Sequence, residues 1–219
     1  MSAVRENYLR ILDRIQRAAA RSGRDPKPIR LIAVTKTVSP DRIREAAAAG
    51  ITDIGENRFQ EGIAKRDALA GVPLTWHFIG HLQTNKAKKV VESFQWIQSV
   101  DRLDLAQKLN QYSAEPMPVL IEVKLHEEPN KSGIAEADLP RLVDELARLD
   151  HLQLRGLMAI PPPFDDPEES RPFFKRLRKV GESLRLRELS MGMSSDFEAA
   201  IEEGATMIRI GTALFGQRS

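Results

Sequence analysis

The chain has 219 residues, with 33 Lys and Arg against 31 Asp and Glu. A formal net charge of +2 gives no field strong enough to favour a nucleic-acid partner. The absence of cysteine excludes disulfides, thiolate metal sites and cysteine nucleophiles. The N-terminus lacks the apolar core of a signal peptide, and no stretch approaches the roughly 18 apolar residues of a membrane span. We therefore expect one domain over residues 1–219, in the cytoplasm and without a membrane partner.

Strands and helices are predicted to alternate along the chain. An amphipathic helix over residues 2–21 comes first, because its apolar residues recur at helical spacing. Short apolar runs then predict eight strands at 31–36, 52–55, 75–79, 95–99, 119–124, 154–160, 188–191 and 206–210. Helical patterns follow at 40–49, 57–70, 84–92, around 103–109, 139–146 and 173–184, and at 196–203. Ser39, Pro40 and Gly50 mark the ends of the helix at 40–49.

Eight strands separated by helices in a chain of this length predict an α/β fold. The expected architecture is a single-domain TIM-like (β/α)8 barrel with an extra N-terminal helix. An open doubly wound sheet would usually have fewer strands and a phosphate-binding loop near its start, and the sequence has neither GxGxxG nor GxxxxGK[ST].

The carboxyl ends of the predicted strands carry the candidate functional residues, because that is where barrel enzymes bind their ligands. Lys36 is the last residue of the first predicted strand and could act as a nucleophile, although a lysine that extends into solvent is the plainer interpretation. The seventh strand ends in a Gly/Ser loop before a helix, and the eighth ends in Gly211-Thr212. Small residues and hydroxyls there are typical of a phosphate site. A phosphate site opposite a lysine fits a phosphorylated aldehyde held as an imine.

Several motifs in order along nearly the whole chain resemble the pyridoxal phosphate homeostasis proteins. Their barrel in turn resembles that of alanine racemase without its C-terminal domain. The matching segments are Ala33-Val34-Thr35-Lys36, Gly55-Glu56-Asn57, Trp76-His77-Phe78-Ile79-Gly80 with Leu82-Gln83 and Asn85-Lys86, Lys131-Ser132-Gly133, Arg155-Gly156-Leu157-Met158, Ser190-Met191-Gly192-Met193-Ser194 with Asp196, and Arg209-Ile210-Gly211-Thr212.

The resemblance implies pyridoxal 5′-phosphate as the cofactor, held by Lys36 as a Schiff base. The attacking amine must be neutral, so we expect burial and a nearby cation such as Arg209 to lower its pKa. The resemblance also places Arg209 beside the pyridine nitrogen, which a guanidinium should leave unprotonated. It assigns the phosphate to Ser190, Ser194, Gly211 and Thr212 together with the backbone at Met191 and Gly192. It places Asn57 and His81 at the edge of the ring.

Simpler interpretations of the same residues stay open. Arg209 could belong to an internal salt bridge, Asn57 could cap the following helix, and His81 is expected to be an ordinary loop histidine. Lys131 is expected at the surface. His77 and His81 lie on either side of a strand end without further ligands, so no metal site is predicted.

Lys124 is a departure from the family pattern. The resembling proteins commonly carry asparagine at the end of the fifth strand, where this chain has Lys124 after Glu122. A second lysine there could repel Lys36, pair with a carboxylate or point into the ligand.

Two functions are compatible with these motifs, and a third interpretation, a phosphate-binding barrel without the cofactor, would leave Lys36 without its role. The favoured one is a monomeric, non-catalytic carrier that buffers pyridoxal phosphate and supplies it to apo-enzymes. The alternative is an amino-acid racemase or another pyridoxal-phosphate enzyme of weak activity. Racemisation needs a base on each face of the substrate Cα. The only tyrosines, Tyr8 and Tyr112, fall in predicted helices, and no domain that could supply the second base is apparent.

Overall fold

A computed structural model describes residues 2–126 and 132–217 as nine helices and nine strands, together with short 3-10 turns. The helices are α1 (Ala3–Arg21), α2 (Pro40–Ala49), α3 (Phe59–Ala68), α4 (Ala87–Ser93), α5 (Leu103–Tyr112), α6 (Leu139–Leu146), α7 (Arg171–Ser183), α8 (Phe197–Glu202) and α9 (Thr212–Phe215). The strands are β1 (Arg30–Val34), β2 (Asp53–Glu56), β3 (Thr75–Phe78), β4 (Trp96–Val100), β5 (Met117–Lys124), β6 (Ile134–Ala135), β7 (Leu152–Met158), β8 (Glu188–Ser190) and β9 (Met207–Ile210).

Eight of these strands form a closed parallel barrel. Their order around the barrel is β1-β2-β3-β4-β5-β7-β8-β9, and β9 pairs with β1, Leu31 lying opposite Ile208. The pairing of β4 with β5, which sets Ile97 against Val119, removes the edge that an open sheet would leave. The predicted barrel is confirmed. The extra strand β6 is only two residues long and extends the sheet beside the carboxyl end of β5.

The predicted element boundaries differ from the structure mainly near the carboxyl ends of strands. The strand predicted at 31–36 ends at Val34, so Lys36 lies two residues beyond it in a turn. The helix predicted at 57–70 covers only Phe59–Ala68, and β6 and α9 were not predicted. The predicted end of α2 is confirmed, because Gly50 has φ 116° and its amide bonds back to the last turn.

The N-terminal helix α1 packs outside the barrel. It buries Val4, Ile11, Ile15, Ala18 and Ala19 on one face, as its amphipathic pattern predicts. Its polar side reaches the helices that follow the last two strands. Arg14 and Arg21 form ion pairs with Glu198 of α8, and the Asn7 amide donates to the Leu214 carbonyl oxygen of α9 over 3.0 Å.

Within the described residues, no helix has the length and apolar character needed to cross a bilayer. The apolar core has two parts. A large part lies between the barrel and its helices, and a small cluster comprises Ile32, Leu120, Met158 and Met207. The candidate site lies at the end of the barrel where the strands have their carboxyl ends.

Candidate functional site

A cavity of about 540 Å³ opens at the carboxyl end of the barrel, where β1, β8 and β9 end. It brings together residues that are far apart in sequence and that were predicted to act together: Lys36, Ser194, Arg209, Gly211 and Thr212. The other described residues that line it are Val34, Met193, Ser195 and Ala213. Volumes of this size are typical of small-molecule sites.

The turn that carries Lys36 is anchored on both sides. Thr35 is buried, and its amide donates to the Gly55 carbonyl oxygen over 3.0 Å. Thr37 has φ 64°, a left-handed conformation that is unfavourable for a β-branched residue. Its amide donates to the Glu61 carboxylate over 2.5 Å, which stabilises this conformation. The backbone around Lys36 is therefore fixed by its two neighbours.

A buried lysine that the sequence analysis did not single out supports the same turn. Lys65 of α3 is only 7 % exposed, and its Nζ donates to the Thr35 carbonyl oxygen, to Glu56 and to Glu61 over 2.5, 2.8 and 2.6 Å. The Thr35 carbonyl, which lies just after the end of β1, therefore points towards α3. The sequence signal was the Glu61–Lys65 spacing, which looks like a common surface pair on a helix.

Glu56 completes this cluster beneath the turn. Its Oε1 accepts hydrogen bonds from the Thr35 hydroxyl over 2.5 Å and from Lys65, whereas its buried Oε2 has no partner among the described residues. Burial raises the pKa of the Glu56 carboxyl, and the bonds from Lys65 and Thr35 oppose that shift.

Arg209 is a buried cation with part of its side chain at the cavity wall. It is 3 % exposed, and its guanidinium donates to the Ser190 hydroxyl over 2.7 Å and to the Ala159 carbonyl oxygen over 2.9 Å. Burial lowers the pKa of Arg209 to about 10, partly opposed by the negative charges of Glu122 and Asp196. Neither carboxylate forms an ion pair with Arg209 in the described part of the chain, so the internal salt bridge considered from the sequence is not found there.

The loop between β8 and α8 has a conformation that requires glycine. Gly192 has φ 89°, and a Cβ there would lie 2.5 Å from the Ala200 side chain. The Asp196 carboxylate accepts from the Met193 amide over 2.7 Å, and the Ser194 hydroxyl accepts from the Ala213 amide over 3.1 Å. The first bond closes the loop on itself, and the second holds it against the start of α9.

Four backbone amides at the cavity have no acceptor within residues 2–126 and 132–217. They belong to Ser194, Ser195, Gly211 and Thr212, all of which line the cavity. Unpaired N–H groups from the β8–α8 loop and from the start of α9, together with the Ser194 and Thr212 hydroxyls, form a set of donors that suits an anion.

Three residues predicted to contact the phosphate lie behind this wall. Ser190, Met191 and Gly192 are buried and are not among the described residues that line the cavity. The Ser190 hydroxyl donates to Gln98 over 2.6 Å and accepts from Arg209, so it supports the wall from inside the barrel.

Asn57 and His81 lie together, at a cavity that Lys36 does not line. Both line a separate cavity of about 220 Å³ with Phe59 and Lys86. Arg58, not Asn57, is the N-cap residue of α3, and Asn57 Oδ1 is buried without a described partner. The His81 side chain is 56 % exposed and 3.9 Å from the Asp101 carboxylate. The structure therefore does not join this pair to the cavity of Lys36.

The strand end at Lys124 is shaped by β6. Lys124 is half-buried and pairs with Ala135, and the neighbouring Glu122 accepts from the Ser132 hydroxyl over 2.8 Å. Burial raises the pKa of Glu122, while its bond to Ser132 opposes the shift. Lys124 does not line the cavity of Lys36. Lys131 lies outside the described residues.

No three described His, Asp or Glu residues are grouped so that they could hold a metal ion. The cavity is thus characterised by one lysine, one buried arginine and a set of hydroxyl and amide donors at the mouth of a parallel barrel.

The sequence and the fold are those of a known family. Residues 4–219 match the model of the alanine racemase N-terminal domain, and the chain belongs to that family. Within it, the chain belongs to the pyridoxal phosphate homeostasis proteins. It is 48 % identical to the protein of that name from Pseudomonas aeruginosa, over 100 % of this chain and 97 % of the relative. It is 43 % identical to the protein of the same name from Escherichia coli K12, over 100 % of this chain and 98 % of that relative.

Solved structures agree with this assignment. PipY of Synechococcus elongatus with pyridoxal phosphate bound superposes with a TM-score of 0.83 at 42 % identity, over 93 % of this chain and 100 % of PipY. Alanine racemase from Corynebacterium glutamicum superposes with a TM-score of 0.71 at 18 % identity, over 99 % of this chain and 61 % of the racemase. At that identity the racemase supports the fold alone.

Proposed function

We propose that this protein binds pyridoxal 5′-phosphate as a Schiff base on Lys36 and buffers or supplies it to apo-enzymes. The observation that carries the proposal is the meeting of Lys36, Arg209 and four unpaired amides at one cavity. The names of its relatives and the PipY complex support the same ligand.

The donors at the cavity fit a phosphate group. The β8–α8 loop offers the backbone N–H groups of Ser194 and Ser195, and the start of α9 offers those of Gly211 and Thr212. Ser194 and Thr212 add hydroxyls. Hydrogen bonds to an anion are stronger than those between neutral groups. This end of the cavity would therefore orient the ligand and provide much of its affinity.

Lys36 fits the aldehyde end. Its amine would condense with the aldehyde carbon, forming a C=N bond and releasing one water molecule. The fixed turn between Thr35 and Thr37 limits where the amine can reach. Bound pyridoxal phosphate supplies an electron sink, whose strength depends on protonation of the ring nitrogen. A guanidinium cannot accept a proton, so Arg209 would leave a ring nitrogen beside it unprotonated.

The positions of the two tyrosines favour a carrier over a racemase. The Tyr8 hydroxyl donates to the Gly50 carbonyl oxygen over 3.4 Å, beside the loop that enters β2 at the opposite end of the barrel. Tyr112 ends α5 and is exposed. Neither lines the cavity of Lys36, so neither is placed to act as a second base there.

Absorption spectroscopy with borohydride reduction tests the proposal. We expect the protein mixed with pyridoxal phosphate to gain an absorption band that borohydride shifts, with the reduced adduct mapping to the peptide of Lys36. Lys36→Ala should remove most of that band, and the control Lys124→Ala should retain it. A full reducible band in Lys36→Ala would reject Lys36 as the attachment site. Release to an added apo-enzyme, measured by recovery of its activity, tests the carrier role.

A further inference from the structure

A chain of polar side chains passes through the interior of the barrel and ends at the cavity. It runs from Arg209 on β9 to Ser190 on β8, across to Gln98 on β4, then to His77 on β3 and Asp53 on β2. The four links measure 2.7, 2.6, 3.0 and 2.9 Å. The middle three side chains are fully or almost fully buried.

Donation along this chain can run in only one direction. The Arg209 guanidinium has donors alone, so Ser190 accepts from it and gives its single hydroxyl proton to Gln98 Oε1. The Gln98 amide nitrogen must then donate to His77 Nδ1. His77 is left with its proton on Nε2, which it donates to the Asp53 carboxylate. A cation at one end and an anion at the other thus fix every link.

A reversed Gln98 amide would break this order at two places. Its oxygen would face His77 Nδ1, which would then need a proton, and its nitrogen would face a Ser190 hydroxyl left without an acceptor. Both faults would lie in the barrel interior, where an unmatched polar group is costly. The native order is also favoured around His77, because burial lowers the pKa of its ring. The groups facing this imidazole are Asp53, Gln98, the stacked indole of Trp96 and the Arg30 cation.

We propose that Gln98 and His77 are positioning residues that hold the Arg209 guanidinium at the cavity wall. Neither lines the cavity, and each acts through the next link. Ser190 and the Ala159 carbonyl oxygen take two of the guanidinium nitrogens, so the chain sets how the rest of the group faces a ligand. The expected effect on ligand binding rests on the proposed function, in which Arg209 faces the ring nitrogen of the ligand.

The test combines a measurement without ligand and one with pyridoxal phosphate. In the ligand-free protein, nitrogen NMR of isotope-labelled histidine should find the His77 proton on Nε2, with His77→Gln used to assign the signal. Gln98→Glu presents a carboxylate to Nδ1 and should add a proton there. The Arg209 side-chain signal should indicate a rigid guanidinium in the wild type and a mobile one in Gln98→Leu.

With ligand, Gln98→Leu should bind pyridoxal phosphate about tenfold more weakly, since one bond to a charged group is no longer supported. It should also shift the absorption maximum of the bound chromophore. Ser99→Ala is the matched control, because Ser99 is the buried neighbour of Gln98 and bonds to Gly80 outside the chain. If Gln98→Leu does not fold, Gln98→Met takes its place in both measurements.

The outcomes separate this inference from the proposed function. A wild-type His77 proton on Nδ1, or equal Arg209 mobility in the wild type and the folded Gln98 variant, would overturn the positioning role whether or not the ligand binds. Unchanged affinity and absorption in the variant would overturn it too. Failure of the wild type to bind pyridoxal phosphate would instead reject the proposed function, and the ligand-free spectra would still decide the role of the chain.

Discussion

Lys65 Nζ lies 2.5 Å from the carbonyl oxygen of Thr35, so the buried side of α3 is bonded to the residue immediately before Lys36. The same ammonium contacts Glu56 and Glu61, and Glu61 also accepts from the Thr37 amide. Helix α3 therefore determines the conformation of a turn to which it is not directly connected in sequence.

Replacing Lys65 by methionine should destabilise the protein and weaken ligand binding together. The change leaves the buried Glu56 carboxylate without its cation, which typically costs about 3–5 kcal/mol. Urea denaturation and titration with pyridoxal phosphate measure the two effects. The double variant Lys65→Met/Glu56→Gln removes both charges and should recover part of the stability. An unchanged unfolding free energy in the single variant would contradict the role given to this cluster.

Gly192→Ala should damage the loop that carries Ser194. The new Cβ would meet Ala200 at 2.5 Å in a backbone with φ 89°. Gly23→Ala is the control, since Gly23 has a similar φ of 68° but open space around its Cβ position. We expect the control to lose roughly 1–2 kcal/mol from conformational strain alone. Gly192→Ala should lose more, since overpacking adds to the strain, and should also bind pyridoxal phosphate less tightly. Equal losses in both variants would show that the close contact relaxes freely.

Unphosphorylated pyridoxal should bind far more weakly than pyridoxal phosphate. The reason is that Ser194, Ser195, Gly211 and Thr212 offer amide donors that only the phosphate would use. Equilibrium titrations of both aldehydes measure the ratio of their dissociation constants. Thr212→Val removes one hydroxyl and should bring the two dissociation constants closer together. Thr84→Val should leave their ratio unchanged, because the Thr84 hydroxyl bonds to Asp104 instead. Equal constants for the two aldehydes in the wild type would refute the phosphate site.

The contribution of His77 to stability should fall as the pH decreases through the ordinary histidine range. Burial lowers the pKa of His77 in the folded state, so below about pH 6.5 the unfolded chain binds a proton that the folded protein excludes. The stability that neutral His77 contributes is therefore present above about pH 6.5 and lost as the pH falls below it. Burial raises the pKa of Glu56 and Glu122, which gives the opposite trend. The informative quantity is therefore the wild-type unfolding free energy minus that of His77→Gln, which should shrink between about pH 8 and about pH 5. A constant difference would contradict a neutral His77.

Amino acids mixed with the loaded protein should exchange their Cα proton with deuterated solvent only negligibly. Neither tyrosine lines the cavity, and Arg209 has no acceptor with which to stabilise a protonated ring nitrogen. Proton NMR of the recovered amino acid measures the exchange, and Lys36→Ala is the control. Rapid exchange that disappears in this variant would favour the racemase over the carrier.

The sequence predicted the barrel because its signals are local. Apolar runs of strand length alternate with helical periodicity, and residues such as Gly50 mark boundaries by their own backbone preference. The end of β1 was placed two residues too late, because the turn after Val34 is held by contacts between distant residues, among them the Lys65 bond to Thr35. Strand β6 was not predicted, because two residues carry no periodic pattern and its pairing depends on β5.

The candidate site could be predicted only as far as strand ends specify it. Strand order placed Lys36, Arg209 and Thr212 at one mouth of the barrel, as the cavity has them. Strand order does not specify which side of the mouth a residue faces. Asn57 and His81 were therefore predicted to lie beside Lys36, whereas in the structure they line another cavity. The interior chain through Gln98 was missed, because a single strand sequence does not reveal which polar residue faces a partner across the barrel.

The outer helix α1 has a consequence for anyone who shortens this protein. It is bonded to α8 through Arg14 and Arg21, and to α9 through Asn7. Ser194 lies in the loop before α8, and Thr212 is the first residue of α9. A deletion that spares every residue of the barrel would thus remove a brace shared by both sides of the anion site. A minimal domain that begins at β1 should keep the strands yet hold the anion-binding corner of its cavity less firmly.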